Sequence, residues 1–241
     1  WALLGAYWLA RHTARLDVLP ALLAAALFGL GGYLGAKAEN INQLQALAWL
    51  PWLLAIFHRA LAGIDEAATQ GRPYSSILLL AVVLALQLLA GHPQTVFITL
   101  VGLAVYGITV GARHASPLQT RVVNMLRPLL MLSAAGVLAL LLAAPQLLPM
   151  LELMGGSNRS GGLNPQQAMA FSFNPLLIGR GLLPSYDGLV FGEYVAYMGV
   201  IGLGLAIIGA LSPPLTPAPS PNGRGEIARR LPWVVLALVG L

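Results

Sequence analysis

Long apolar runs dominate the chain, and short polar segments separate them. Runs of this kind match the roughly 20 residues that an α-helix needs to cross a bilayer. They lack the alternation of a barrel strand, and an open sheet edge in lipid leaves backbone groups unpaired. The pattern therefore predicts an all-α, polytopic transmembrane helical bundle. The predicted spans are 1–10, 19–38, 44–57, 75–90, 95–111, 129–148, 195–211 and 231–241.

The first and the last of these spans are shorter than a full crossing. The chain opens at Trp1 and closes within the apolar sequence "LPWVVLALVGL". We therefore predict about six complete spans and two truncated ones, within an internal piece of a longer protein. The transmembrane region is predicted over 1–211, a Pro-rich cytoplasmic linker over 212–230, and the start of a further helix over 231–241.

Composition supports membrane insertion. Hydrophobic residues make up 58% of the chain, charged residues 9%, and the mean hydropathy is +0.78. A water-soluble surface needs far more charge. The net charge of +5 would suit a nucleic-acid-binding protein, but the basic residues form no patch interleaved with aromatic residues. With no cysteine, disulfides and thiolate metal sites are excluded.

The distribution of Lys and Arg predicts the orientation. When successive connectors are placed on alternate sides, ten of the 13 basic residues fall on one side, and Lys37, Arg159 and Arg180 fall on the other. Short cytoplasmic connectors carry an excess of Lys and Arg. The richer side is therefore predicted to be cytoplasmic, with connectors at 11–18, 58–74, 112–128 and 212–230.

The sequence "GHPQ" interrupts an otherwise apolar stretch on the opposite, outer side. It fits a tight turn between two antiparallel helices, in which Gly91 ends one helix and Pro93 starts the next. A turn does not require His92 or Gln94, because Asn, Ser or Gly would serve as well. The alternative is that these two side chains face a substrate.

A second polar segment, "GAKAENINQ", leads into an apolar helix that carries Trp49, Pro51 and Trp52. In one interpretation Asn40 or Asn42 caps that helix, the tryptophans pack against neighbours or lipid, and the proline is a tolerated kink. In the other, Lys37, Glu39, Asn42 and Gln43 bind the hydroxyl groups of a sugar or the phosphate of a lipid head. On a helix, Glu39, Asn42 and Gln43 would share one face.

The third informative segment is the outer loop 152–194. It has too many Gly, Pro and Asn residues for one helix, and it is too apolar for a disordered linker. Asn-Pro pairs at 164–165 and 174–175 predict short interfacial helices. The charged residues either pair with one another to hold the loop, or an arginine clamps a phosphate. The candidates for substrate binding are Arg159, Arg180, Asp187, Glu193, Tyr194 and Tyr197.

The chain carries no HExxH, Walker-type or CxxC pattern, and no cluster of residues has the spacing of a metal site. We therefore predict no metal and no cofactor. Three of the four histidines, His12, His58 and His114, fall in the predicted cytoplasmic connectors. There we expect them to be solvated.

Four motifs in order, "ENINQLQALAWLPWLL", "GHPQ", "APQLLPMLELMGGSNRSG" and "LLPSYDG…GEYVAYMGVIGLGLA", resemble the bacterial YfhO-type membrane proteins. These are relatives of the polyprenyl-phosphate-sugar-dependent glycosyltransferases with the GT-C fold. The resemblance covers residues 19 to 211, and the order of the short motifs carries it. It implies a GT-C-like enzyme of the bacterial cytoplasmic membrane that moves a sugar from a polyprenyl-phosphate carrier to a cell-envelope acceptor at the outer face. The family's proposed catalytic acid would precede this chain, so the catalytic residue is unassigned.

Two other functions are alternatives to the glycosyltransferase. A transporter or flippase of lipid-linked intermediates would need polar residues near the middle of several spans and often an inverted repeat. The sequence shows few midspan charges and no convincing repeat. A non-catalytic membrane scaffold would bind a partner through the outer segment. The expected partners are the lipid bilayer, a lipid-linked sugar donor and an envelope glycopolymer or lipid acceptor, without nucleic acid.

Overall fold

The structure, a computed structural model, describes residues 1–66, 73–113, 118–157, 162, 164–166, 181 and 200–211. Within these residues the regular structure is helical and contains no strand, as predicted. The helices, in chain order, are α1 Ala2–His12, α2 Val18–Gly29, α3 Gly32–Ala36, α4 Ile41–Ala48, α5 Leu50–Glu66, α6 Pro73–Leu89, α7 Pro93–Arg113, α8 Leu118–Gly155 and α9 Val200–Leu211.

The helices run back and forth between two ends of a bundle. The turn that follows α3 and the turn between α6 and α7 lie at one end, which we call the polar end. The turn between α1 and α2, with Arg11 and Arg15, lies at the other end, which we call the basic end. Helix α1 packs against α2 and α5, α5 packs against α6, and α8 packs along both α6 and α7.

Four helical segments are long and apolar enough to cross a membrane: Val18–Ala36, Ile41–Leu61, Pro93–Val110 and Met125–Gly155. A shorter apolar helix covers Ser75–Leu89. All five overlap predicted spans. Large apolar side chains cover their outer surfaces, as in Leu19, which is 78% exposed, and Leu130, which is 69% exposed. Such surfaces suit contact with lipid, so the described helices indicate a membrane protein.

The core lies between α5, α6, α7 and α8. Phe57, Leu84 and Tyr106 are almost fully buried there, together with Ala135 and Ala139 of α8. The two alanines are one turn apart on the same face of the helix. Small residues in such a row let helix backbones approach closely, which is how helices associate in lipid.

Helix α7 packs tightly against its neighbours at Gly107. A Cβ at this position would lie 2.7 Å from the Cβ of Pro128 on α8 and 3.1 Å from the Cζ of Phe57 on α5. Any side chain on residue 107 would therefore push α7 away from both helices.

Tryptophans pack between α1 and the start of α5. The Trp1 and Trp52 rings stack with centroids 4.9 Å apart, and the Trp1 and Trp49 rings meet edge to face at 5.4 Å. Gly5 makes room for this cluster, because a Cβ there would lie 2.6 Å from Trp52 Nε1. The prediction that these tryptophans pack against neighbours is confirmed.

Two predicted spans are broken. The span 19–38 is interrupted between α2 and α3, where Gly31 is required because a Cβ would lie 2.5 Å from the Leu27 carbonyl oxygen. The span 44–57 breaks at Trp49, between α4 and α5. Pro51 follows this break, as expected of a residue that has no N–H to donate to the preceding turn.

The predicted connectors 58–74 and 112–128 are partly helical. Helix α5 continues to Glu66 and α7 continues to Arg113, while α8 begins at Leu118. Helices need not end where their apolar sequence ends, since polar residues can continue the helix beyond the hydrocarbon layer. Helix α8 likewise extends into the predicted outer loop, up to Gly155.

His58 is a further correction. It lies within α5 rather than in a solvated connector, it is half-buried, and its Nδ1 is 2.5 Å from the hydroxyl oxygen of Tyr106. In the loop itself, Pro165 and Gln166 are helical directly after Asn164, as the Asn-Pro pair predicts. The pair at 174–175 and the residues 212–241 lie outside the described part of the chain.

Candidate functional site at the polar end

The "GHPQ" segment forms the predicted tight turn between α6 and α7. Helix α6 ends at Leu89, and Gly91 adopts a φ of +78°, in the left-handed region that favours glycine. Pro93 is the first residue of α7, where its missing N–H has no intrahelical partner to lose. The turn interpretation of Gly91 and Pro93 is therefore confirmed.

His92 caps the start of α7. Its Nδ1 accepts a hydrogen bond from the Thr95 backbone N–H at 3.2 Å and lies 2.7 Å from the Thr95 hydroxyl oxygen. This is the arrangement by which Ser, Thr, Asn and Asp side chains satisfy a free N–H at a helix N-terminus. Because a backbone N–H donates to it, Nδ1 carries no proton in this geometry. One ring nitrogen of His92 thus has a structural role that the sequence did not reveal.

The same turn meets two other helices through carboxamide side chains. A Cβ on Gly91 would lie 3.7 Å from Asn42 Nδ2 and 3.9 Å from Gln146 Nε2. Asn42 belongs to the first turn of α4, and Gln146 belongs to α8, where its Nε2 donates to the Leu89 carbonyl oxygen at 3.3 Å. We call Asn42, Gln146 and the Gly91–His92 turn the amide cluster.

The amide cluster is open to the outside of the bundle. Asn42 and Gln146 are exposed, and His92 is half-buried. A carboxamide offers an acceptor oxygen and two donor hydrogens, so two of them side by side can bind vicinal hydroxyl groups, each of which both donates and accepts. Such a surface suits a polyhydroxylated ligand such as a sugar.

Lys37 and Glu39 flank the start of α4 in different environments. The Lys37 side chain is only 1% exposed, and its Nζ lies 5.7 Å from the centroid of the Tyr33 ring, within reach of a cation–π interaction. Glu39 is exposed in the turn before α4. The predicted helix face shared by Glu39, Asn42 and Gln43 is wrong, because α4 begins only at Ile41.

Of the two predicted caps, Asn40 occupies the N-cap position of α4, although its side chain makes no capping hydrogen bond, and Asn42 lies within the helix. Of the predicted site residues, Asn42 and His92 are brought to one place. Glu39, Gln43 and Gln94 make no hydrogen bond to the amide cluster within the described part of the chain. Arg159, Arg180, Asp187, Glu193, Tyr194 and Tyr197 lie outside the described residues.

Gln87 is a polar residue of the bundle interior that the sequence analysis missed. Its side chain is 0% exposed, and its Nε2 donates to the Ala46 carbonyl oxygen and to the Thr99 hydroxyl oxygen, both at 3.0 Å. Its Oε1 is buried and has no hydrogen-bond partner. The sequence does contain a signal for this residue, a single amide in the apolar run "ILLLAVVLALQLL". Polar side chains inside apolar spans are rare and usually face the bundle interior.

The described ranges contain no group of three or more His, Asp or Glu side chains that could hold a metal ion. No family model, no curated protein and no solved structure matches this chain.

Proposed function

We propose that the chain belongs to a membrane glycosyltransferase that moves a sugar from a polyprenyl-phosphate carrier to a cell-envelope acceptor at the outer face of the bacterial cytoplasmic membrane. The observation that carries the proposal is the amide cluster. Its members come from "ENINQ", "GHPQ" and "APQLL", three of the four motifs on which the resemblance to YfhO-type proteins rests. The GT-C-like fold is part of the same proposal.

The chemistry of the donor is consistent with this site. A sugar on a lipid phosphate carries its own leaving group, so the protein mainly has to position the sugar, balance the phosphate charge and accept a proton from the acceptor. Asn42 and Gln146 offer hydrogen bonds for sugar hydroxyls. Lys37, five residues before Asn42 in the chain, is buried in the turn that precedes α4, and in this proposal its positive charge balances the phosphate. His92 Nδ1 is committed to the α7 cap, and the catalytic base remains unassigned.

Transfer from a radiolabelled polyprenyl-phosphate sugar to envelope acceptors, in liposomes that contain the purified protein, tests the proposal. We expect Asn42→Ala and Gln146→Ala each to reduce transfer by about tenfold, because each removes hydrogen bonds to an uncharged sugar. Gln45→Ala is the matched control, since Gln45 is an exposed amide of the same helix that lies away from Gly91. Equal loss in all three variants, or no transfer with any polyprenyl-phosphate sugar, contradicts the proposal.

One observation favours a transporter or flippase as the second candidate. The buried Oε1 of Gln87 lies inside the bundle beside Thr99, and polar groups at such a depth are typical of a translocation pathway. Movement of a fluorescent lipid-linked sugar between the leaflets of a liposome separates the two functions. The transporter function would be favoured if Gln87→Leu abolished this leaflet exchange and Asn42→Ala left it intact.

A further inference from the structure

A cavity lies between the helices near the basic end, away from the amide cluster. It encloses about 340 Å³ and is partly open. Helices α1, α2, α5 and α7 line it with almost entirely apolar side chains, among them Ala10, Phe28, Leu54 and Leu103. Cavities that bind small molecules begin at about 300 Å³ and are mostly apolar with a few polar groups. An alkyl chain is a suitable guest by volume and by chemistry.

The turn between α1 and α2 closes one end of this cavity and brings positive charge to it. Ala14 and Leu16 both line the cavity, and Arg15 stands between them, exposed. Arg11 holds the turn, because its Nη1 donates to the Leu16 carbonyl oxygen at 2.6 Å. Asp17 is exposed beside them, so this turn presents two guanidinium groups against one carboxylate. An anionic group is thereby favoured at the cavity end.

The same turn contains a polar atom without a partner. The Thr13 hydroxyl oxygen is buried and makes no hydrogen bond within the described part of the chain. Buried polar atoms almost always have a partner, so an unpaired one suggests that something is missing beside it. Arg15 itself has a φ of 56°, a conformation that costs a non-glycine residue energy and that recurs at binding sites.

We propose that this cavity is a binding site for an anionic glycerophospholipid of the adjacent leaflet. One acyl chain occupies the apolar cavity, and the phosphate lies against Arg15 and Arg11 at its end. Positive charge beside an apolar groove complements a molecule that is anionic at one end and alkyl at the other. The site is separate from the proposed sugar site and does not depend on it, because no residue of the amide cluster lines the cavity.

Native mass spectrometry of the delipidated full protein tests the site with two probes of identical acyl chains, phosphatidylglycerol and phosphatidylcholine. We expect one phosphatidylglycerol to be retained, and Arg15→Asn to weaken its binding by about fivefold, the effect expected of one basic residue at a lipid surface. Asn tolerates the positive φ, so this variant removes the charge without straining the turn. Arg127→Asn is the control, since Arg127 is exposed on α8 and does not line the cavity.

A second variant tests the cavity itself. Ala10→Phe places a ring in the cavity and is expected to lower the retention of both lipids at least tenfold, whereas Leu130→Phe on the exposed face of α8 leaves it unchanged. If Ala10→Phe fails to fold, Ala24→Leu on the opposite wall replaces it. The proposal would be overturned if both lipids bound equally, or if the two arginine variants had equal effects. It would also be overturned if lipid binding were unchanged by Ala10→Phe. The proposal would also be overturned if Ala10→Phe abolished self-association of the protein without reducing lipid binding. That result would assign the cavity to a second copy of the chain.

Discussion

The substitution Gln87→Leu examines the polar contact in the bundle interior. It removes two hydrogen bonds from Nε2, to the Ala46 carbonyl oxygen and to the Thr99 hydroxyl oxygen, both 3.0 Å long. Hydrogen bonds between helices in lipid average about 0.6 kcal/mol each, so their loss costs about 1.2 kcal/mol. The substitution also removes the buried, unpartnered Oε1, whose burial costs about 1–3 kcal/mol.

The two effects oppose each other and the second is the larger, so we expect Gln87→Leu to raise the free energy of unfolding by about 0–2 kcal/mol. The groups left behind have other partners. The Ala46 carbonyl oxygen still accepts from the Trp49 N–H at 3.3 Å, and a threonine hydroxyl can turn toward the carbonyl of its own preceding turn. Gln87→Ala, in contrast, also leaves a cavity in a packed core and should cost about 2–4 kcal/mol.

Equilibrium unfolding in mixed detergent micelles, followed by tryptophan fluorescence, measures both variants against Leu86→Ala. Leu86 precedes Gln87 on α6 but faces outward, so its truncation should cost little where lipid or detergent replaces the side chain. A loss of more than about 3 kcal/mol in Gln87→Leu would show that the hydrogen bonds outweigh the buried oxygen, and the reasoning would be wrong. The reasoning would also be wrong if Gln87→Leu and Gln87→Ala unfolded at the same detergent fraction, because the cavity in Gln87→Ala should make that variant less stable.

Substitutions at three further sites, Gly107, His92 and Gly91, can be checked by the same unfolding measurement. Gly107→Val should cost about 1–3 kcal/mol by overpacking against Pro128, whereas Gly136→Val, at a position where a Cβ meets open space, should cost under about 1 kcal/mol. His92→Ala should cost about 1 kcal/mol through the lost cap on α7, and His92→Asn should restore most of it, unless the cap contributes nothing. Gly91→Ala should cost about 1–2 kcal/mol because of its positive φ, and a neutral result would mean that the turn readily adopts another form.

The apolar pattern predicts the helices well because every backbone group in lipid must be paired within the helix. It does not predict where the helices end. The sequences "PY" at the start of α6 and "AR" at the end of α7 were predicted as connector, yet Pro73 and Arg113 are helical. Nor does it predict breaks such as Gly31, because the reason for that glycine is a distance to the Leu27 carbonyl that only the folded backbone defines.

The candidate site was predicted in part. Asn42 and His92 were proposed from their polarity in apolar surroundings, and the structure places both beside Gly91. Gln146 was not proposed, because polarity alone does not tell which helix lies against which. Glu39 was assigned to a helix face on the assumption that the helix extended two residues further back, and a periodicity argument fails where the helix has not begun.

The bend between α4 and α5 bears on how this chain enters a membrane. Pro51 has no N–H to donate to the Leu47 carbonyl oxygen, and the neighbouring Ala46 carbonyl oxygen accepts from the Trp49 N–H at 3.3 Å and from Gln87 on α6 at 3.0 Å. Gln87 is synthesised about 40 residues later, after α5 is complete. Until α6 arrives, the break between α4 and α5 lacks the hydrogen bond that Gln87 donates to it. Insertion of this hairpin is thus expected to be cooperative, with α4, α5 and α6 leaving the insertion machinery as one unit rather than one helix at a time.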